Sequence, residues 1–207
     1  MADEPFKRGV LSEILTQMEI EPQWVQRAGF ARATALVCVR VAEEAPQRKS
    51  SLETDREFEH AEAKVRLALS QNPADSFLWL NLYSVHNARY GLGSQSLSYL
   101  AQSYVTGPRE GWIAVRRNRL GLAVLAMLSA KTQGTAINEF ASMVSAGLIE
   151  EAASNLTSVG WSHRARLLAS LRDTDIVARY SLSKALYREG INVAIPGVDA
   201  DQRQWFR

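Results

Sequence analysis

The sequence predicts an all-α protein, with about ten helices following one another in pairs. Three observations carry that reading. Apolar side chains recur at three- and four-residue steps through most of the chain, the spacing that lines one face of a helix. Only six prolines and twelve glycines interrupt 207 residues, so helices can run long between breaks. Only 191–195, Ile-Asn-Val-Ala-Ile, has β-like residues, and no dependable strand is expected. A composition of 46% hydrophobic and 22% charged residues is ordinary for a folded chain of this length.

In chain order, Phe6, Val10, Leu11, Ile14, Leu15 and Met18 predict an amphipathic first helix. Pro22 suits the first turn of a second, reaching residue 44 with Trp24, Val25, Phe30, Leu36 and Val37 on its apolar face. The polar run 45–51 is an exposed breaker. A third helix then runs from 52 to the Asn72-Pro73 stop, charged in its first half, with Ala61, Val65, Ala68 and Leu69 turned inward. Asp75 or Ser76 caps the next, 77–89. The turn Tyr90-Gly91-Leu92-Gly93-Ser94 leads to its partner, 94–105, with Ser94 as cap. From Pro108 one helix is expected to reach 128, apolar on several sides and therefore central. Ile137, Phe140, Val144 and Leu148 mark another, followed by short helices at 148–159, 161–171 and 173–188. Gly147, Gly160 and Gly190 read as their stops. The expected divisions are an N-terminal helical pair at 1–50, core repeats at 51–130, C-terminal helical repeats at 131–195 and a tail at 196–207.

Charge is unevenly placed although the net is only +2. Residues 1–75 hold ten basic and thirteen acidic side chains, whereas 76–130 hold five basic and one acidic. Between Ser76 and Pro108 the only charge is Arg89, a depletion typical of the buried part of a protein contact. The small net charge and the lack of a stacking platform argue against nucleic acid. No apolar run reaches the roughly 18–20 residues of a membrane span, so no insertion by this stretch is expected. Met-Ala-Asp-Glu-Pro does not resemble a signal peptide, which favours the cytoplasm; an anchor ahead of it would place the protein in the envelope or periplasm.

Candidate chemistry is sparse. His60, His86 and His163 stand in no metal-ligand spacing, and each reads as structural. Cys38 lies in the apolar run 35–39 as a buried small side chain. Gly91-Leu92-Gly93-Ser94 lacks the lysine and the preceding strand of a phosphate loop. The adjacent pairs Glu43-Glu44 and Glu150-Glu151 point apart on a helix. No serine stands in a nucleophile elbow. Neither a catalytic residue, a cofactor nor a metal is expected. Arg116-Arg117-Asn118-Arg119 is the sharpest polar cluster: it could bind a carboxylate through guanidinium forks, but bonds to helix ends and to the acidic first third of the chain are the favoured reading.

One pattern connects these pieces. Ala61, Val65, Ala68 and Pro73 precede Trp79 and Leu82, and Ser96, Leu100, Ser103 and Pro108 precede Trp112. The prolines are 35 residues apart and the tryptophans 33, close to the period of about 34 in a tetratricopeptide repeat. Residues 58–130 resemble that family, in degenerate form. Small residues on the second helix of each pair let the first approach, and the tryptophan fills the groove between pairs. The chain departs from the pattern at Tyr83 and Arg116, where small residues are usual, and in Trp112 following Pro108 by four places. The resemblance implies an α-solenoid of antiparallel helix pairs, non-catalytic, that acts as a scaffold or adaptor in protein–protein interaction. Its concave surface would hold an extended peptide or protein partner on Phe77, Leu80, Ser84, Asn87, Ile113, Arg117 and Leu120, and a homo-oligomer is conceivable. Such degenerate repeats look like those of bacterial scaffolds, some of them associated with envelope polysaccharide assembly, which is the alternative function.

Overall fold

The computed structural model describes residue 10 and residues 13–16, 28–47, 50–108 and 110–198. Among these residues all regular structure is helical. The α-helices with defined ends are α1 (Ala28–Glu44), α2 (Ser51–Gln71), α3 (Ser76–Tyr90), α4 (Ser94–Thr106), α5 (Gly111–Ala123), α6 (Ala130–Ser145), α7 (Ile149–Thr157), α8 (Arg164–Ala169) and α9 (Ile176–Arg188). Val10 and residues 13–16 are also helical, where the first amphipathic helix is expected. Its remaining marker residues, and Pro22, Trp24, Val25, Arg109 and the aromatic tail, lie outside the described residues.

The chain divides into two units, Met1–Gly107 and Pro108–Arg207, a boundary that falls inside the 51–130 block drawn from the sequence. In the first unit each helix packs on the next, α1 on α2, α2 on α3 and α3 on α4, and α1 also reaches α3. Local chemistry sets the ends. Ser50 and Glu53 form a reciprocal capping box at the start of α2. At α3 the Asp75 carboxylate accepts from the Phe77 and Leu78 amides, both at 3.0 Å, and takes the Arg32 Nε–H at 2.6 Å, tying α1 to the same point. The cap of α4 is Gly93 rather than Ser94. The Ser96 hydroxyl reaches back one turn to accept from the Gly93 amide at 2.9 Å, so the serine that closes this end sits inside the helix. The inward faces are as spaced: Ala61, Val65 and Ala68 of α2, Leu78, Leu82 and Val85 of α3, and Leu100 and Ser103 of α4 are buried.

In the second unit α6 touches α5, α7, α8 and α9, so it is the helix on which the others are assembled. Phe140, Met143 and Val144 on α6 are fully buried. This corrects the expectation of one central helix from 108 to 128. The helix ends at Ala123, and a 3-10 turn follows at Leu125–Met127. Leu122 and Leu125 are buried while Met127 is 55% exposed, so the apolar run wraps a turn and does not line an all-round buried helix. The predicted 161–171 helix is likewise cut into a 3-10 turn, α8 and a second 3-10 turn.

Of the glycine stops in this unit, Gly147 and Gly160 work differently. Gly147 adopts φ +80° past the end of α6, and the Leu148 amide closes back on the Met143 carbonyl at 3.0 Å. Gly160 has φ −87° and needs no left-handed freedom. A side chain there would lie 2.9 Å from both the Asn155 carbonyl oxygen and Leu167 Cδ1, so glycine is required by space.

Candidate functional site

Two features could carry function, one in each unit. The first is the α3–α4 segment, where Arg89 is the only charge between Ser76 and Pro108. The fold removes even that charge from the surface. Arg89 turns back to α2, placing Nε 3.1 Å from Asp55 Oδ1, Nη1 3.4 Å from Glu62 Oε2 and Nη2 3.8 Å from Glu59 Oε2. What α3 and α4 leave exposed is uncharged: Ala88 and Tyr90, then Ser94, Gln95, Ser98 and Val105.

Glu62 is the centre of the junction beneath that face. It is buried on α2, and its Oε1 accepts from Arg66 Nη2 at 2.7 Å and Nε at 3.1 Å. His86 Nδ1 stands 3.3 Å from the same oxygen, from α3. Arg66 Nη2 also donates to the Tyr99 hydroxyl of α4 at 2.8 Å, so one carboxylate and one guanidinium join three helices. Burial pushes the Glu62 carboxyl up, but the hydrogen bonds and charges of Arg66 and His86 outweigh it and hold the group below the usual carboxylate range. Around them Trp79 stacks on Tyr99 at 6.1 Å, and His86 meets Tyr99 edge-on at 5.4 Å and Tyr90 at 4.7 Å. A shallow cleft of about 520 Å³ opens beside Arg89, lined by Pro46, Thr54, Asp55, Phe58 and Ala88.

The second feature is a buried polar core in the second unit. Arg117 is wholly buried on α5 and donates to Glu139 Oε1 of α6, from Nε at 3.0 Å and Nη2 at 2.5 Å. Next to it Asn118 Nδ2 donates to the Ala136 carbonyl at 2.8 Å, and Asn155 of α7 donates to Asn118 Oδ1 at 3.3 Å. Glu139 also lines a cleft of about 250 Å³ with Pro108, Gly111, Ala114, Met143 and Leu148.

The partner-binding set inferred from the resemblance is spread over both units. Phe77, Leu80, Ser84 and Asn87 fall on α3, and Ile113, Arg117 and Leu120 on α5. The expectation that all of them are exposed does not hold. Leu80, Ile113 and Arg117 have no exposure, Leu80 and Ile113 as core side chains and Arg117 because Glu139 draws it inward. Phe77, Ser84, Asn87 and Leu120 are half-buried. Ser84 bonds the Leu80 carbonyl at 3.2 Å, and Asn87 Oδ1 is buried without a hydrogen-bond partner. The favoured reading of the arginine cluster placed its bonds on helix ends and the acidic first third. For Arg117 one partner is Glu139, within its own unit. Trp112, expected to fill a groove, is 60% exposed, whereas Trp79 is half-buried and its Nε1–H donates to the Pro73 carbonyl at 2.8 Å.

Glu62, Arg66, Tyr99 and Glu139 were not among the residues singled out as sites from the sequence. The four-residue step from Glu62 to Arg66 is a helix-surface pairing signal that marks half of the junction. Among the described residues, no group of three His, Cys, Asp or Glu side chains is placed to hold a metal, and no helix is long and apolar enough to cross a membrane. The chain matches no protein-family model, and no curated protein or solved structure is found to be similar to it.

Proposed function

We propose that the protein is a non-catalytic helical-repeat scaffold or adaptor that binds a protein partner through the α3–α4 face. The observation that carries this reading is the neutrality of that face. A 33-residue segment on a chain with 22% charged residues holds one charge, and that charge is folded onto α2. Covering a charged surface costs desolvation, so a face stripped of charge is one whose burial by another protein is cheap. Exposed Val105 and Tyr90 add apolar area at either end.

The tetratricopeptide-like reading has its support in the first unit. The expected small and medium positions Ala61, Val65, Ala68, Ser96, Leu100 and Ser103 are all buried, and the Ser103 hydroxyl donates to the Ser76 carbonyl at 2.8 Å, close contact that a larger residue would prevent. Contact of α1 with α3, together with α2 with α3, is the neighbour pattern of stacked helix pairs. The short connections after α2 and α3 favour antiparallel neighbours.

The test is copurification with charge placed on the face. Ser98→Glu and Gln102→Lys change α4 where it is exposed or half-buried and not part of the core. Both variants are expected to fold as the parent does and to lose a partner that the parent retains from native lysate. Equal recovery of the same partners by parent and variants would remove the face from consideration.

A further inference from the structure

Apart from its buried polar core, the second unit gathers exposed cations that no carboxylate answers. Residues 152–172 contain Arg164, Arg166 and Arg172 and no aspartate or glutamate. Lys131 joins them from α6, in a first turn that holds no acidic residue either. All four are exposed, and among the described residues none of the four forms an ion pair. Arg32, Arg66, Arg89, Arg117 and Arg188, by contrast, each hold a carboxylate. Two of the unanswered cations are nevertheless fixed in place. The Arg164 guanidinium lies over the Trp161 ring, 4.8 Å from its centroid, and its Nη1 donates to the Trp161 carbonyl at 3.1 Å. Arg166 Nη1 donates to Gln133 Oε1 at 2.9 Å, and Gln133 is itself held through Nε2 on the Leu128 carbonyl at 2.9 Å. That chain of bonds carries Arg166 to the first turn of α6, close in sequence to Lys131, where the helix N-terminus adds positive potential.

These neutral bonds orient the two arginines without neutralising them. A guanidinium has five N–H donors, so each keeps most of its fork for an acceptor from outside the chain. With the side chains already placed, little ordering entropy remains to be lost when a carboxylate binds. We propose that Trp161, Arg164, Arg166 and Lys131 form a docking surface for an acidic peptide segment. Its Asp or Glu carboxylates are taken by the guanidiniums, and its apolar side chains rest on the uncovered part of the indole. Two observations choose a peptide over a nucleic acid. Arg164 lies on the ring of Trp161, which is itself only 37% exposed, so the platform for a stacked base is taken. The positive charge is also a compact group on a chain of net charge +2, not the long basic track that a phosphate backbone calls for. This surface belongs to the second unit and stands whether or not the α3–α4 face of the first binds a partner.

The experiment is an NMR titration of the full chain with hexaglutamate at low salt, following the Trp161 indole N–H and the backbone amides of residues 131–133. Saturable shifts are expected at these positions. Arg164→Gln with Arg166→Gln should weaken binding roughly tenfold through the loss of two charged forks. Arg164→Lys with Arg166→Lys keeps the charge and loses the forks, and should weaken it roughly threefold. Arg119→Gln, an exposed arginine on α5, serves as the control and should leave it unchanged. The proposal is overturned if no shift saturates at millimolar peptide, if Arg119→Gln weakens binding as much as the double variant, or if the lysine variant binds as the parent does. Tighter binding of decathymidylate than of hexaglutamate would overturn it in favour of a nucleic acid. Should the double variants not fold, the parent protein decides alone: shifts centred on Trp161 and 131–133 support the surface, and shifts centred elsewhere overturn it.

Discussion

Arg117 is a guanidinium taken wholly out of water and held by a carboxylate whose own side chain is 4% exposed. Such a pair is worth little against an apolar replacement of both partners, but removing one partner leaves the other charge stranded, at a cost of about 3–5 kcal/mol. Arg117→Ala is therefore expected to destabilise the second unit by about that amount in urea denaturation. The double change Arg117→Met with Glu139→Leu should recover most of the loss, and a double variant no more stable than the single one would contradict this account. Glu62 makes the corresponding point through pH. Its folded pKa lies below the ordinary 4.5, so it contributes stability above that value and loses it as pH falls through the depressed one. Glu62→Gln is expected to flatten the fall in melting temperature of the first unit below about pH 4.5 while lowering it at pH 7. Parallel pH profiles for parent and variant would show that Glu62 plays no such part.

At the scale of the element, the ends of helices were legible in the sequence because the signals that set them are local. Pro73, Asp75 and Gly147 each act within a few residues of their own position, and each marks a helix boundary in the structure. Asp75 also carries a prediction. Asp75→Ala removes a cap that accepts two amides and frees Arg32, and should cost α3 about 1–2 kcal/mol. Asp75→Asn keeps the cap and should lose less; equal losses in chemical denaturation would mean that the ion pair and not the cap matters. Gly160 shows where local reading fails. Its position after α7 reads as a C-terminal helix stop, but the constraint is the approach of Asn155 and Leu167, which no local pattern reveals. Gly160→Ala is expected to destabilise by about 1–3 kcal/mol through overpacking, and a neutral result would refute the crowding. The helix expected from 108 to 128 was over-extended for a similar reason: its apolar residues wrap through a 3-10 turn, and apolarity alone does not separate the two.

For the whole molecule, helical class and most element positions follow from periodicity, while the candidate site does not. Arg117 and Glu139 are 22 residues apart, and Glu62 and His86 are 24 apart. Which pairs meet depends on how helices stack, and with degenerate spacing the sequence has no local mark for it. The one site-level feature that survives from sequence to structure is the lack of charge across α3 and α4, because it is a property of composition. Folding Arg89 onto α2 completes it. The central claim, that this face is covered by another protein, is met most directly by a photo-crosslinking residue placed at Ser98, with the same residue at exposed Glu151 as control. The account predicts a discrete adduct in cells from position 98 and none of the same mass from position 151. No adduct at 98, or identical adducts from both positions, would contradict it.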